Sequence, residues 1–222
     1  MNLERYTYFK RESYKEYSFY SEGPRGRVLK VVRFARLSHK VAFGYNLSFG
    51  DWSERLQNID DRSITNNGDT GKVLATVAAI VVDFVTIFPQ AVIYARGSNM
   101  ARTRRYQMGI NKMLKEIEEI FYINGRIGEQ WEPFRKNNNY EAFLIQRKEY
   151  VILEEPTESY MTASQKEKET EKKHVYDDRV VYEKDLVNEE TDPVILRKNE
   201  EALKSFEKAP IPETFLKGRK WL

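Results

Sequence analysis

The chain has 222 residues, of which 41% are hydrophobic, so it can form one domain with a substantial core plus an appendage. Charged residues make up 32% and the formal net charge is +3, a balance that does not by itself predict a partner as acidic as nucleic acid. There is no cysteine, which excludes disulfides, thiolate metal ligands and a cysteine nucleophile.

The N-terminal residues and the most apolar run indicate where the protein is located in the cell. The first residues, MNLERYTYFKRE, lack the apolar stretch of a secretory signal, and the absence of cysteine also suits a cytoplasmic protein. Residues 73–88 form the most apolar run, but it contains Asp83 and is shorter than the ~20 residues that cross a bilayer. We therefore expect a buried helix there, a cytoplasmic location and no membrane partner.

Three strands are predicted in the first 52 residues. Residues 14–20 are aromatic and roughly alternating, residues 27–37 are rich in Val, Leu and Phe, and a turn with two glycines and a proline separates them. Residues 41–52 alternate strictly between large apolar and small side chains. This pattern predicts an antiparallel meander, and the small face favours a helix laid against it.

Helices and strands alternate in the next hundred residues. Helices are predicted at 70–88 and 99–120, from apolar spacing and from length. Between and after them, strands are predicted at 91–96, 121–127 and 140–148. The predicted fold class is α+β, an antiparallel meander and then helix–strand–helix–strand–strand, forming a mixed sheet with a partly parallel centre. We assign this core domain to residues 1–155.

The composition changes after residue 155. Residues 156–173 are polar, charged and nearly free of apolar side chains, which is typical of a linker. Residues 174–222 contain a strand-like run at 180–182 and a helix-like run at 193–206, and are too few for a core of their own. We interpret them as a docking segment, whose target is the main domain, a second copy of the chain or a protein partner.

Arginines are concentrated where a helix is already positive. In GSNMARTRRYQMGI, residues 97–110, Arg102, Arg104 and Arg105 fall in the first turns of a predicted helix, just after Ser98 and Asn99. The helix dipole disfavours cations at this end, so an anion such as phosphate or carboxylate would relieve the repulsion. Two interpretations stay open. The arginines bind an anionic ligand, or even nucleic acid, or they pair with the protein's own carboxylates, for which the candidates are Glu16, Asp60 and Asp61.

A second candidate site precedes the helix at 70–88. The sequence TNNGDTGK, residues 65–72, places Asn67, Gly68, Gly71 and Lys72 before or within its first turn, where backbone N–H groups can cradle a phosphate. The spacing is not that of a Walker A loop. The alternative is a flexible turn with a helix cap.

Only two histidines, at positions 39 and 174, are present and lie far apart, so neither a metal site nor a histidine triad is expected.

Two resemblances bear on these motifs. Residues 10–148, with YNLSFGD, NNGDTGKVLATV and GSNMARTRRYQMGI, resemble an uncharacterised bacterial domain family of unknown function, which implies no activity. The order of elements resembles the core of the GCN5-related N-acetyltransferases. That likeness implies acetyl-CoA as cofactor, a pyrophosphate loop at 66–72, and Tyr106 as the general acid that protonates the leaving thiolate.

This sequence departs from the acetyltransferase pattern in three places. The first loop lacks the family's [Q/R]-x-x-G-x-[G/A] motif, and the spacing from Tyr106 to Gly109 is one residue short. The two helices that precede the family's meander are absent. We therefore rank three hypotheses. The first is a non-catalytic or degenerate acetyltransferase-like module that binds an anionic ligand or partner through the arginines, for which the sequence establishes no cofactor. The second is a CoA-dependent acyltransferase. The third is a toxin–antitoxin-like interaction protein with a fused tail.

Overall fold

The structure, a computed structural model, describes residues 4–37, 41, 43–60, 65–148, 181–183 and 191–215. The predicted linker at 156–173 and both histidines lie outside these residues. The described part contains one mixed sheet of ten strands. The strands are Tyr8–Arg11 (β1), Glu16–Gly23 (β2), Gly26–Arg36 (β3), Gly44–Ser53 (β4), Asn58–Asp60 (β5), Val92–Ala95 (β6), Phe121–Ile127 (β7), Gln130–Pro133 (β8), Ala142–Arg147 (β9) and Val181–Glu183 (β10).

The sheet is antiparallel except at two places. Its order is β10-β1-β2-β3-β4-β6-β9-β7-β8, with β5 paired to β4. β4 and β6 are parallel, in a register that runs from Gly44 opposite Val92 to Leu47 opposite Ala95, and β10 is parallel to β1. The α+β class, the antiparallel meander and the partly parallel centre are therefore confirmed. The short strands β1, β5 and β8 were not predicted.

Four α-helices accompany the sheet in the described residues. They are Thr70–Ile87 (α1), Met100–Lys112 (α2), Leu114–Ile120 (α3) and Pro193–Lys208 (α4), and a 3₁₀ turn follows at Glu213–Phe215. The prediction of one helix over 99–120 is wrong at Met113, whose N–H donates to both the Gly109 and Ile110 carbonyls, at 3.3 and 3.1 Å. This tighter turn separates α2 from α3, although Met113 and Leu114 both stay buried.

One face of the sheet packs against α1, α2 and α3. The Phe84 ring of α1 stacks on Phe34 of β3 with the ring centroids 3.9 Å apart, and meets Tyr45 of β4 edge-on. Among the described residues, α1 is the one helix whose length and composition would allow it to span a membrane, and 44% of it is buried. Here its apolar side chains belong to the main core of the domain.

The other face of the sheet is covered by α4. Phe206 of α4 packs against Tyr94 of β6, and the Trp131 indole N–H donates to the Ala209 carbonyl at 2.9 Å. The Asn199 side-chain amide donates to the Arg36 carbonyl at the end of β3, also at 2.9 Å. α4 therefore packs on the chain's own sheet, contacting β3 and the predicted small face of β4.

Candidate functional site

A polar pocket of about 100 Å³ lies where the two predicted motifs meet. The loop at 65–70 forms one wall, and Arg102, Arg105 and Tyr106 of α2 form another. Lys30 of β3 and residues 49–51 of β4 complete the lining, together with Val73 and Leu74 of α1. The two motifs, which are about thirty residues apart in sequence, therefore contribute to one site.

The parallel pair β4 and β6 explains the convergence. α2 begins beyond the carboxyl end of β6, and α1 begins after β5, which turns back along the end of β4, so both helices begin near the carboxyl ends of the parallel pair. β4 pairs with β6 only as far as Leu47, and from Asp51 it pairs with β5 instead. The pocket lies beside the intervening stretch of β4, so the separation of the strands makes room for it.

Asn67 fixes the loop of the pocket to the turn between β2 and β3. Its buried amide nitrogen donates to the Gly26 carbonyl at 3.0 Å and to the Ser21 hydroxyl at 3.1 Å, and its oxygen accepts from the Arg25 N–H at 2.9 Å. A Cβ on Gly23 would lie 2.0 Å from the Asn67 carbonyl oxygen, so only glycine fits there. The Asn67 side chain therefore holds the loop in place, and Asn67 also forms part of the pocket lining.

Asp69 occupies the N-cap position of α1, but its side chain does not cap the helix. The carboxylate accepts from the Ser21 hydroxyl at 2.6 Å and from the Tyr6 hydroxyl at 2.9 Å. Burial is the main cause that raises the pKa of Tyr6, and the hydrogen bond to Asp69 raises it further. Tyr6 therefore stays a proton donor at neutral pH, and this carboxylate is held by two hydroxyl groups.

The first turn of α2 is closely fixed to the end of β6. The Asn99 side chain caps α2 by accepting from the Arg102 N–H at 3.0 Å, and the Gly97 N–H donates to the Thr103 hydroxyl at 3.1 Å. A Cβ on Gly97 would lie 2.4 Å from the Thr103 nitrogen, so a larger residue would displace the helix start. These contacts fix the first turn of α2, and they therefore fix the positions of Arg102 and Arg105 relative to the 65–70 loop.

The charges of the pocket leave an excess of cations. Lys30, Arg102 and Arg105 line it against Asp51 and Asp69, and the first turn of α2 contains no acidic residue. Asp51 forms an ion pair with Lys30 and also accepts from the Thr65 hydroxyl. The Arg105 guanidinium makes no ion pair or hydrogen bond with another described residue. Two helix N-termini add further positive potential at the same place.

The third arginine of the motif faces elsewhere. Arg104 donates to the Asn139 side chain and does not line the pocket, and Arg96, the residue just before the motif, does not line it either. Glu16, one of the carboxylates considered as a partner, pairs with Arg33 at 2.7 Å instead. Asp61, another such candidate, lies outside the described residues. Among the described residues, no group of three or more His, Asp or Glu is placed to hold a metal ion.

The structure divides the predicted site residues into two groups. Asn67, Arg102, Arg105 and Tyr106 line the pocket. The other five predicted residues do not line it, and they are Gly68, Gly71, Lys72, Ser98 and Asn99.

Lys72 lies away from the pocket for a clear reason. Its ammonium pairs with Glu4 at 2.6 Å and lies 4.3 Å from the centre of the Tyr6 ring. The hydrogen bond that Lys72 donates to Glu4 is the main cause that raises the pKa of Lys72. Lys30, by contrast, was not predicted to take part, although a lysine in the middle of the apolar strand RVLKVV was a usable signal.

Comparisons with known proteins support one of the two resemblances. A model described as a family of unknown function, DUF6934, matches residues 2–148. The chain belongs to this family. The DUF6934 region includes β1 to β9 and the whole pocket lining, and ends before α4. No curated protein and no solved structure matches the chain, so no homologue supports the acetyltransferase resemblance.

Proposed function

We propose that this DUF6934 protein is a cytoplasmic, non-catalytic module that binds a small anionic ligand in the pocket between the 65–70 loop and α2. The observation that carries the proposal is that Arg102 and Arg105 line one pocket with this loop. Arginine forks suit phosphate and carboxylate groups, and two helix N-termini favour an anion between them. The volume, about 100 Å³, suits a phosphate-sized group.

The carboxylates of the pocket do not argue against an anion. Asp69 is held by two hydroxyl groups, and Asp51 is held by Lys30 and Thr65. Neither carboxylate is shown to neutralise Arg105, whose charge is therefore open to a ligand. An anion there would receive charge-assisted hydrogen bonds, each of which contributes about 1.5–3 kcal/mol.

The test is a titration of inorganic phosphate by calorimetry and thermal shift at low ionic strength. We expect phosphate to stabilise the wild-type chain, and Arg105→Ala to weaken its affinity by about 10-fold or more, because a charge-assisted hydrogen bond is lost. Arg102→Ala should act in the same direction. Arg104→Ala is the matched control, since it removes the same charge from the same helix turn outside the pocket.

Two outcomes would remove the proposal. One is an equal loss of affinity in Arg104→Ala and Arg105→Ala, which would indicate a diffuse charge effect. The other is no stabilisation by phosphate, sulfate, a carboxylate or CoA at millimolar concentration. Tight, steeply salt-dependent binding of an oligonucleotide in place of phosphate would reassign the arginines to nucleic acid.

Acyl transfer from acetyl-CoA is the second candidate, and the position of Tyr106 favours it. Tyr106 lines the polar pocket, and the resemblance to acetyltransferases implies that it is the general acid for the leaving thiolate. If this candidate is correct, a thiol reagent will detect CoA release with an amine acceptor, and Tyr106→Phe will lower the rate by about 10²-fold or more. Tyr122→Phe, at an exposed tyrosine outside the pocket, is the control. Equal rates in these two variants would exclude Tyr106 as the acid.

A further inference from the structure

A second cavity, also of about 100 Å³, adjoins the polar pocket. It lies between α1, α2 and α3 on one side and β4, β6, β7 and β9 on the other, and it is partly open to solvent, since Val77, Ala78 and Ile110 of its lining are only half-buried. Apart from Tyr106, every side chain that lines it is apolar. Because its lining offers almost no hydrogen-bond partners, water is held poorly there and an apolar group can displace it. An engineered closed apolar cavity of about 150 Å³ binds benzene, which gives the scale of what such a volume can hold.

The two cavities share part of their lining. Leu74 of α1 and Tyr106 of α2 border both of them. Close packing of α1 and α2 sets this border, since a Cβ on Gly109 would lie 3.0 Å from Leu74 Cδ1. An anionic group beside Arg102 and Arg105 would therefore lie next to this apolar cavity.

We infer that the ligand is an amphipathic anion, with an anionic head at the arginines and a short apolar chain in the second cavity. This inference rests on the proposed anion-binding function. Scaled against the benzene cavity, the volume fits a chain of about three or four carbons. The head group binds the arginines, and the chain adds affinity by burying its apolar surface against the lining of the second cavity.

The experiment is a calorimetric series of inorganic phosphate and methyl, propyl, butyl, hexyl and octyl phosphate. We expect affinity to rise about threefold to fourfold per methylene up to a chain of about four carbons, and then to level off. Ala78→Leu fills the apolar cavity and should remove the gain while phosphate binding persists. Leu74→Ala widens the border between the cavities and should move the plateau to longer chains.

The outcomes separate the two proposals. If phosphate binds in an Arg105-dependent way but chain length has no effect, the amphipathic ligand is excluded and the anion site stands. If neither phosphate nor any alkyl phosphate binds, both proposals fail. If the chain-length gain survives unchanged in both Ala78→Leu and Leu74→Ala, with the fold checked by circular dichroism, the chain does not enter this cavity.

Discussion

Glu16→Gln is expected to lower the free energy of unfolding by about 3–5 kcal/mol, because it leaves buried guanidinium groups without their carboxylate. The Glu16 side chain is 3% exposed and pairs with Arg33, which is 4% exposed, at 2.7 Å. Arg11, which is also buried, lies 3.8 Å from the other Glu16 oxygen. For a chain of this length the loss corresponds to a fall in Tm of about 10 °C, which differential scanning calorimetry will measure.

Glu22→Gln is the matched control on the same strand. Glu22 lies 3.7 Å from Arg27, but both side chains are more than 60% exposed, so water already solvates them. Exposed pairs contribute about 0–1 kcal/mol, and the change in Tm should be correspondingly small. Equal changes in the two variants would show that the buried pair makes no special contribution to stability.

The pair of Glu16 and Arg33 belongs to a network that reaches α4. Arg33 also donates to the Asn58 oxygen on β5 at 3.3 Å, and the Asn58 amide donates to Asp192. Asp192 in turn caps α4 by accepting from the Ile195 N–H at 2.8 Å. Polar groups thus connect the meander, the β4–β5 hairpin and the start of the C-terminal helix, and we expect Glu16→Gln to loosen α4 as well.

Local signals predicted the longer elements of the fold. Length and apolar composition were enough for α1, and strict alternation was enough for β4, because burial on one face imposes that period. The strands β1, β5 and β8 have only three or four residues each, and their sequences carry no period that could be read. They are strands because neighbouring strands supply their hydrogen-bond partners, which a local pattern does not contain.

The site was predictable to the level of segments but not of all side chains. β4 and β6 are parallel neighbours, and the chain enters α1 and α2 near their carboxyl ends, so the two motifs converge at one edge of the sheet. Which side chains face inward depends on helix rotation and on distant partners. Lys72 is drawn to Glu4, near the start of the chain, whereas Lys30 enters the pocket from a strand about forty residues earlier.

Ala202→Glu is expected to release α4 from the sheet. Ala202 is fully buried in the cluster that α4 forms with Leu37, Tyr94 and Leu144. A carboxylate there would be buried without a partner, a cost of about 3–5 kcal/mol that the protein avoids most easily when α4 undocks. Tm should fall, and trypsin should cleave after Arg197 and Lys204 at much lower concentrations than in the wild-type chain.

Leu196→Glu is the control for this variant, since it adds the same charge to the same helix at a position that is 51% exposed. It should leave both Tm and the trypsin pattern close to those of the wild-type chain, because its carboxylate stays in water. The apolar face under α4 gives a third expectation, which concerns dye binding. Once uncovered, Tyr94 and its neighbours should bind a hydrophobic dye in Ala202→Glu alone. If Ala202→Glu matches Leu196→Glu in all three measurements, α4 does not pack on this face in solution.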